Sequence, residues 1–165
     1  MTATALYRER ISSPRTEALF VTLTLLAFLV LVGLVLSSRP RMWIVVVAFL
    51  FAYFLFCALN YRTLVIQLTD VALELGFGLV AWRIPLHNIE ACSLDQTSLW
   101  RIGGAGVHFT PLGGRYRAMF NFLEHPRLVI ALRTRKGLVR DIAFSTCHPS
   151  EVMHLILQHA RSAAS

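Results

Sequence analysis

Six histidines (His87, His108, His125, His148, His154 and His159) and three cysteines (Cys57, Cys92 and Cys147) are the side chains of this 165-residue chain with the widest chemical reach. Metal binding is the first chemistry they suggest. A zinc site needs ligands paired at short spacing, as in Cys-x-x-Cys or two histidines four apart on one helix face. Neither pattern occurs. Cys147-His148 with His154 is the densest local cluster, and His154 and His159, five apart, fall on different faces of a helix. No metal and no other cofactor is expected. The carboxylates Asp70, Glu74, Glu90, Asp95, Glu124, Asp141 and Glu151 stand singly, beside turns or at alternating positions, as on a solvated face rather than in a paired general acid and base. Gly103, Gly104 and Gly106 are not followed by the Lys-Ser/Thr pair and helix start of a phosphate loop, so close strand packing or a bulge accounts for them better. No catalytic residue is assigned and an enzyme is not expected; a small enzyme would have to act through His108 or His148.

The chemical bias that remains is cationic. From Arg62 to Arg161 the chain carries eleven Lys/Arg against seven Asp/Glu, and Arg115, Arg117, Arg127, Arg133, Arg135, Lys136 and Arg140 crowd the second half. Such a patch suits nucleic acid, an anionic membrane surface, or an ordinary charged surface with no ligand.

The elements that position this patch decide among those uses. With 56% hydrophobic residues, 15% charged residues and a mean hydropathy of +0.60, the chain is too apolar for an ordinary soluble domain. Most of the excess lies in two runs. Residues 18–36 hold 19 residues without a charge, and residues 42–59 hold 18, with Ser37 to Arg41 between them. At about 1.5 Å per helical residue each run covers roughly the 30 Å hydrocarbon core of a bilayer. Neither shows the polar stripe of a helix in a soluble bundle, and a backbone in hydrocarbon must pair its own polar groups, so an antiparallel pair of transmembrane helices is predicted over residues 18–60. Arg8, Arg10 and Arg15 before the first run and Arg62 after the second outnumber Arg39 and Arg41 in the connection, which places the segment 1–17 and the C-terminal part on the cytoplasmic side. The cysteines, without disulfide spacing, fit that side. With the chain already at a bilayer, attraction to anionic headgroups explains the cations more economically than nucleic acid, which is not expected as a partner. Arg115, Arg117, Arg133, Arg135 and Lys136 are the candidate membrane- or partner-binding residues.

From Asn60 onward short alternating segments replace the apolar runs. Residues 61–68, 71–75, 79–83, 89–94, 115–122, 127–134 and 138–144 read as about seven strands, separated by turns at Thr69-Asp70, Gly76-Phe77-Gly78 and Arg135-Lys136-Gly137. The glycine-rich stretch from Asp95 to Gly114 reads as strand fragments broken by loops. Pro149 at a first helical position, Glu151 in the first turn and a stripe of Val152, Leu155 and Ile156 predict a closing amphipathic helix. The predicted fold is therefore α+β: a helical hairpin, then a small antiparallel barrel or sandwich over residues 61–165 capped by a helix.

Two N-terminal spans, Leu64-Val65-Ile66, and then Arg83-Ile84-Pro85-Leu86-His87-Asn88-Ile89-Glu90 give the chain a likeness that covers nearly its whole length: it resembles the bacterial pleckstrin-homology-like membrane proteins. In that family an Ile-Pro-Leu-x-x-Ile segment forms the third strand. The stretch Trp100 to Val107 and the ending from Phe144-Ser145 to Pro149-Ser150-Glu151 are also similar, with His148 where the family has the aspartate of an Asp-Pro-Glu helix start. The resemblance implies a PH-like fold in the bacterial inner membrane and a binding module rather than an enzyme, acting as an adaptor, accessory or assembly factor for a membrane complex. Eukaryotic relatives that bind inositol phosphates carry a basic cluster around the first hairpin; the corresponding turns here have none, so that specificity does not carry over. A homo-oligomeric structural or transport element is the alternative. The spans offer it only Thr22, Thr24, Tyr53 and Cys57 as polar groups and a single Gly33, without an ion pathway or a GxxxG face.

Overall fold

The structure, a computed structural model, describes residues 5–38 and 40–163; Arg39, one of the two arginines weighed in the connection, and the chain ends at 1–4 and 164–165 lie outside the described residues. Over the described residues it is an α+β protein of nine strands and four α-helices, two of them apolar and long enough to cross a membrane.

Helix α1 spans Pro14–Leu36 and α2 spans Arg41–Asn60. The start of α1 follows from local chemistry. Ser13 is extended (φ −134°), its Oγ accepts the Thr16 N–H at 3.1 Å, and Pro14 contributes no N–H to the unpaired first turn. The two helices pack against each other, with Phe28 and Phe51 rings 5.7 Å apart, and most of their side chains are exposed. On helices whose ring contacts with the rest of the described protein lie at their Tyr61 end, that exposure is what lipid would cover.

Strand β1, Ala5–Ser12, precedes the helices and pairs antiparallel with β2, Thr63–Thr69, from Ser12↔Thr63 to Ala5↔Thr69. The sequence reading gave residues 1–17 only a flanking role and began the β-domain after residue 60. Tyr7, Glu9 and Ile11 alternate toward the protein while Arg8 and Arg10 point out, so the two arginines weighed for topology also form the exposed face of a strand. The helical hairpin is thus an insertion between two paired neighbours. Strands β3 (Ala72–Phe77) and β4 (Val80–Pro85) complete a four-stranded sheet of order β1-β2-β3-β4.

After one 3₁₀ turn at Leu86–Asn88, β5 (Ile89–Leu94) opens a second sheet. A short helix α3 (Leu99–Ile102) follows, then β6 (Gly106–Leu112), β7 (Arg115–Asn121), β8 (Arg127–Lys136) and β9 (Val139–Ser145), in the order β5-β8-β9-β7-β6. Only the β7–β9 pair is parallel. The two sheets do not close into a barrel: β4 and β6 end their sheets unpaired, and the gap between them holds Trp82, whose ring lies 6.3 Å from Phe109 and 6.2 Å from Phe120.

The core lies between the sheets, with Leu64, Ile66, Leu75 and Phe77 on one side and Phe120, Phe122, Ile130, Ile142 and Phe144 on the other. Helix α4, Pro149–Ser162, begins at the expected proline and buries Val152, Ile156 and Ala160 against β5, β8 and the 3₁₀ turn.

Helix α2 joins this core through Asn60. Its buried amide donates to the Phe77 carbonyl at 3.2 Å and its Oδ1 accepts the Leu79 N–H at 2.7 Å, holding the β3–β4 turn against the helix end. At Gly78 (φ +58°) a Cβ would come within 2.2 Å of Asn60 Oδ1. Asn60→Ala is expected to cost about 1–3 kcal/mol, because two backbone groups of the turn lose their partner; denaturant titration of the detergent-solubilised protein reads it as a lowered midpoint with an unchanged slope.

Candidate functional site

Of the five candidate cations, the structure brings four to one end of the second sheet and places the fifth elsewhere. Arg115 follows the Gly113-Gly114 turn of the β6–β7 hairpin, and Arg133, Arg135 and Lys136 occupy the last turns of β8 beside the Gly137 turn. Because Tyr116 is opposite Val139 across the parallel β7–β9 pair, the two hairpin tips are neighbours. All four side chains are exposed, as are Tyr116 and Leu138 between them. Lys136 Nζ sits 4.7 Å above the Trp82 ring and Arg133 Nε donates to the Ile89 carbonyl at 3.3 Å, so two of the cations are held over the β4 and β5 edges.

Arg117 is no part of that surface. It points to the outer face of the second sheet, 14% exposed, 3.2 Å from Asp95 Oδ1 and 3.7 Å from Asp141. Arg127, 10% exposed, donates from Nε to Asp95 Oδ2 at 3.1 Å and from its terminal nitrogen to the Thr97 carbonyl. Asp95 itself is 3% exposed. Burial alone would raise its carboxyl; hydrogen bonds from the Thr97 hydroxyl and N–H, the Arg127 guanidinium and the Arg117 charge outweigh that and leave it below its ordinary value. This cluster clamps the start of the 95–105 connection, which crosses the outer face of the sheet from β5 to β6. Ile102 fixes the other end by packing on Met119 and Ala143, and its carbonyl accepts from His108 Nε2 at 2.5 Å and Thr110 Oγ1 at 2.8 Å. Burial outweighs the Ile102 hydrogen bond and lowers the pKa of His108, which stays a neutral donor.

A second polar cluster joins residues far apart in sequence. Glu9 of β1 accepts from Thr146 Oγ1 at 2.7 Å and from the Cys147 N–H at 2.8 Å; His148 Nδ1 lies 3.4 Å from Glu9 and from the Tyr7 hydroxyl, and Cys147 Sγ lies 3.7 Å from His125 Nδ1. The sequence reading grouped Cys147 and His148 with His154, which instead lies exposed on α4. A Cys beside a His invites a nucleophile reading. The electrostatics oppose it: burial and the adjacent Glu9 charge push the Cys147 thiol up, so the thiolate is disfavoured where a nucleophile would need it. Desolvation also opposes the Glu9 charge, but the Thr146, Cys147 and Tyr7 hydrogen bonds prevail and its pKa falls below the usual range. The cluster tethers β1 to the entry of α4. Cys92, in the core, is pushed up to about 12 by burial. Among the described residues no group of three or more His, Cys, Asp or Glu side chains is placed to hold a metal ion.

No family model, curated protein or solved structure matches the chain. The surface offers an exposed cationic tip, a β4–β6 gap beside it, and two edges, β1 and β5, flanked by the 146–148 segment and by α4.

Asp95→Ala is expected to destabilise the protein by about 3–5 kcal/mol, because it leaves the buried Arg127 guanidinium without its carboxylate and Arg117 with only the longer Asp141 contact. The same linkage gives a pH dependence. Since folding lowers the Asp95 and Glu9 pKa values, their contribution is complete above the ordinary carboxylate range of about 4 and is lost as pH falls through the lowered values; unfolding midpoints between pH 7 and 3 should fall less steeply in Asp95→Ala than in wild type.

Proposed function

We propose that this chain is a membrane-anchored, PH-like binding module without catalytic activity, which recruits a membrane-protein partner through the cationic hairpin tips as an adaptor or assembly factor. The observation that carries the reading is the placement of Arg115, Arg133, Arg135 and Lys136 at the end of the second sheet opposite the helices.

The helix end of that sheet is marked by contacts. Leu123 N–H donates to Thr16 Oγ1 in the first turn of α1, Arg15 pairs with Glu124 at 3.3 Å, and Gly106 abuts the Tyr61 ring after α2. From there to the tips, β7 and β9 each run seven residues, whose six steps span about 20 Å at 3.3 Å per residue. Along the strands that is more than twice the Debye length of about 8 Å at physiological salt, which supports a neighbouring protein rather than the module's own bilayer as what these cations attract. An acidic segment of a neighbouring protein fits better. Exposed Tyr116 and Leu138 supply apolar contact, and the unpaired edge of β6 offers backbone groups for strand addition. The short strands, the terminal helix and the paired spans are what the resemblance to bacterial PH-like membrane proteins also implies. A bacterial inner membrane with the domain on the cytoplasmic side follows from that likeness and from the arginine count.

Photo-crosslinking probes at Arg115 and Arg135 of the full chain in native membranes test the partner. One and the same protein captured from both positions, and lost on Lys136→Glu/Arg133→Glu, is the expected result; lipid alone, or no adduct, would overturn the partner reading. Sidedness has its own probe in exposed Cys147, the other two cysteines being buried. A membrane-impermeant maleimide is expected to label it in inverted vesicles and to leave it unlabelled in right-side-out ones.

A further inference from the structure

Outside the two long helices, the most exposed large apolar side chains are Trp100, at 97%, and Leu79, at 86%; both exceed every lipid-suited side chain of the helices themselves. Both sit at the helix end of the domain. Leu79 is in the β3–β4 turn, its N–H bonded to Asn60 at the end of α2. Trp100 is on α3, in the connection that crosses the second sheet. Asn121, at the helix end of β7, donates to the Gly104 carbonyl at 2.7 Å, and Gly106 follows against Tyr61. Beside Trp100, Leu99, Gly103, Gly104 and Leu123 line an open, mostly apolar basin of about 480 Å³. Leu123 N–H binds Thr16 where α1 begins, so basin and helix entry are contiguous.

Flexibility does not explain the exposure of Trp100. The Asp95 cluster pins one end of its connection, and Ile102, fully buried two residues away, pins the other. The chain therefore holds an indole out at a fixed place, next to Arg101, level with the ends of the two spans. Tryptophan flanked by arginine is the side-chain chemistry of the headgroup–acyl boundary, where the ring is half desolvated and the cation stays wet.

Resting on the membrane reading above, we infer that Trp100, with Leu99 and Leu79, inserts into the glycerol and upper acyl region of the leaflet that the helices enter. The bilayer is the occupant because the Trp100 basin borders Leu123, hydrogen-bonded to the start of α1, and Leu79 is hydrogen-bonded to the end of α2. These loops give the domain additional points of attachment and fix its lower face against the membrane. The cationic tips are thereby held away from it.

Depth-dependent quenching in vesicles of brominated phosphatidylcholine tests this. The full chain with Trp43→Phe and Trp82→Phe reports Trp100 alone; Trp82→Phe with Trp100→Phe reports Trp43, near the start of α2, as the control for the spans. Blue-shifted Trp100 emission, quenched as strongly as Trp43 and more by bromines near the carbonyls than by bromines near the chain ends, is expected. Solvent-like or unquenched Trp100 emission with Trp43 quenched would overturn the inference and leave the spans in the bilayer; blue-shifted but unquenched emission would mean a protein cover and would overturn it equally. If Trp43 is also unquenched, the membrane reading fails and the inference with it. Should Trp82→Phe disturb the gap it fills, the difference between wild type and Trp100→Phe gives the Trp100 signal with Trp82 in place.

Discussion

Paired strands lie about 4.8 Å apart, whereas packed helices lie 8–10 Å apart, and this chain passes between the two spacings twice, at Ser12 to Thr16 and at Asn60 to Thr63. Everything else in the structure depends on how that mismatch is absorbed. At the first crossing Ser13 and Thr16, both buried, satisfy each other and the helix start, and Thr16 Oγ1 also takes the Leu123 N–H. At the second, Asn60 bridges the helix end to the β3–β4 turn, and Tyr61 packs between Phe20 of α1 and Phe77 of the core, 5.8 Å and 5.1 Å away. Thr16 and Asn60 thus each meet a hydrogen-bond partner distant in sequence, across the junction. Hairpin and sheets are thereby joined as one packed unit rather than by a linker.

The second sheet uses its two faces differently. Alternation sends Ala118, Phe120, Ile130, Ile142 and Phe144 into the core and Arg117, Met119, Arg127, Asp141 and Ala143 to the other side, where the 95–105 connection covers them. Burying two arginines and two aspartates there is a poor source of stability compared with apolar packing. It ties the connection to this face of the sheet through Asp95.

Much of this was legible in the sequence, and the failures have physical causes. Both spans, the β2–β3–β4 meander, β5 and β7 to β9, and the start of α4 follow from unbroken apolarity, period-two alternation and a proline-led helix. Strand β1 did not, because Arg8 and Arg10, on its exposed face, carry the same charge signal as the cytoplasmic flank of a span. β6 was obscured by Gly106 and Pro111, which weaken local strand propensity; the edge position makes the proline tolerable. Arg117 was grouped with its neighbours in sequence, and only the pairing of β7 shows that it faces Asp95 and Asp141. The exposure of Trp100 and Leu79 is a property of where their loops sit, which no local pattern encodes.

The insertion of the helices between β1 and β2 has a bearing on the order of assembly. Were residues 13–62 a flexible loop, pairing Ser12 with Thr63 would forfeit on the order of 3–4 kcal/mol of chain entropy before the first strand contact formed. A helical hairpin folded first brings those ends together in advance. Strand β1 leaves the ribosome before anything it can pair with, and its partner arrives only once both long helices have been made. Packing of the two helices then acts as the nucleation step for pairing β1 with β2.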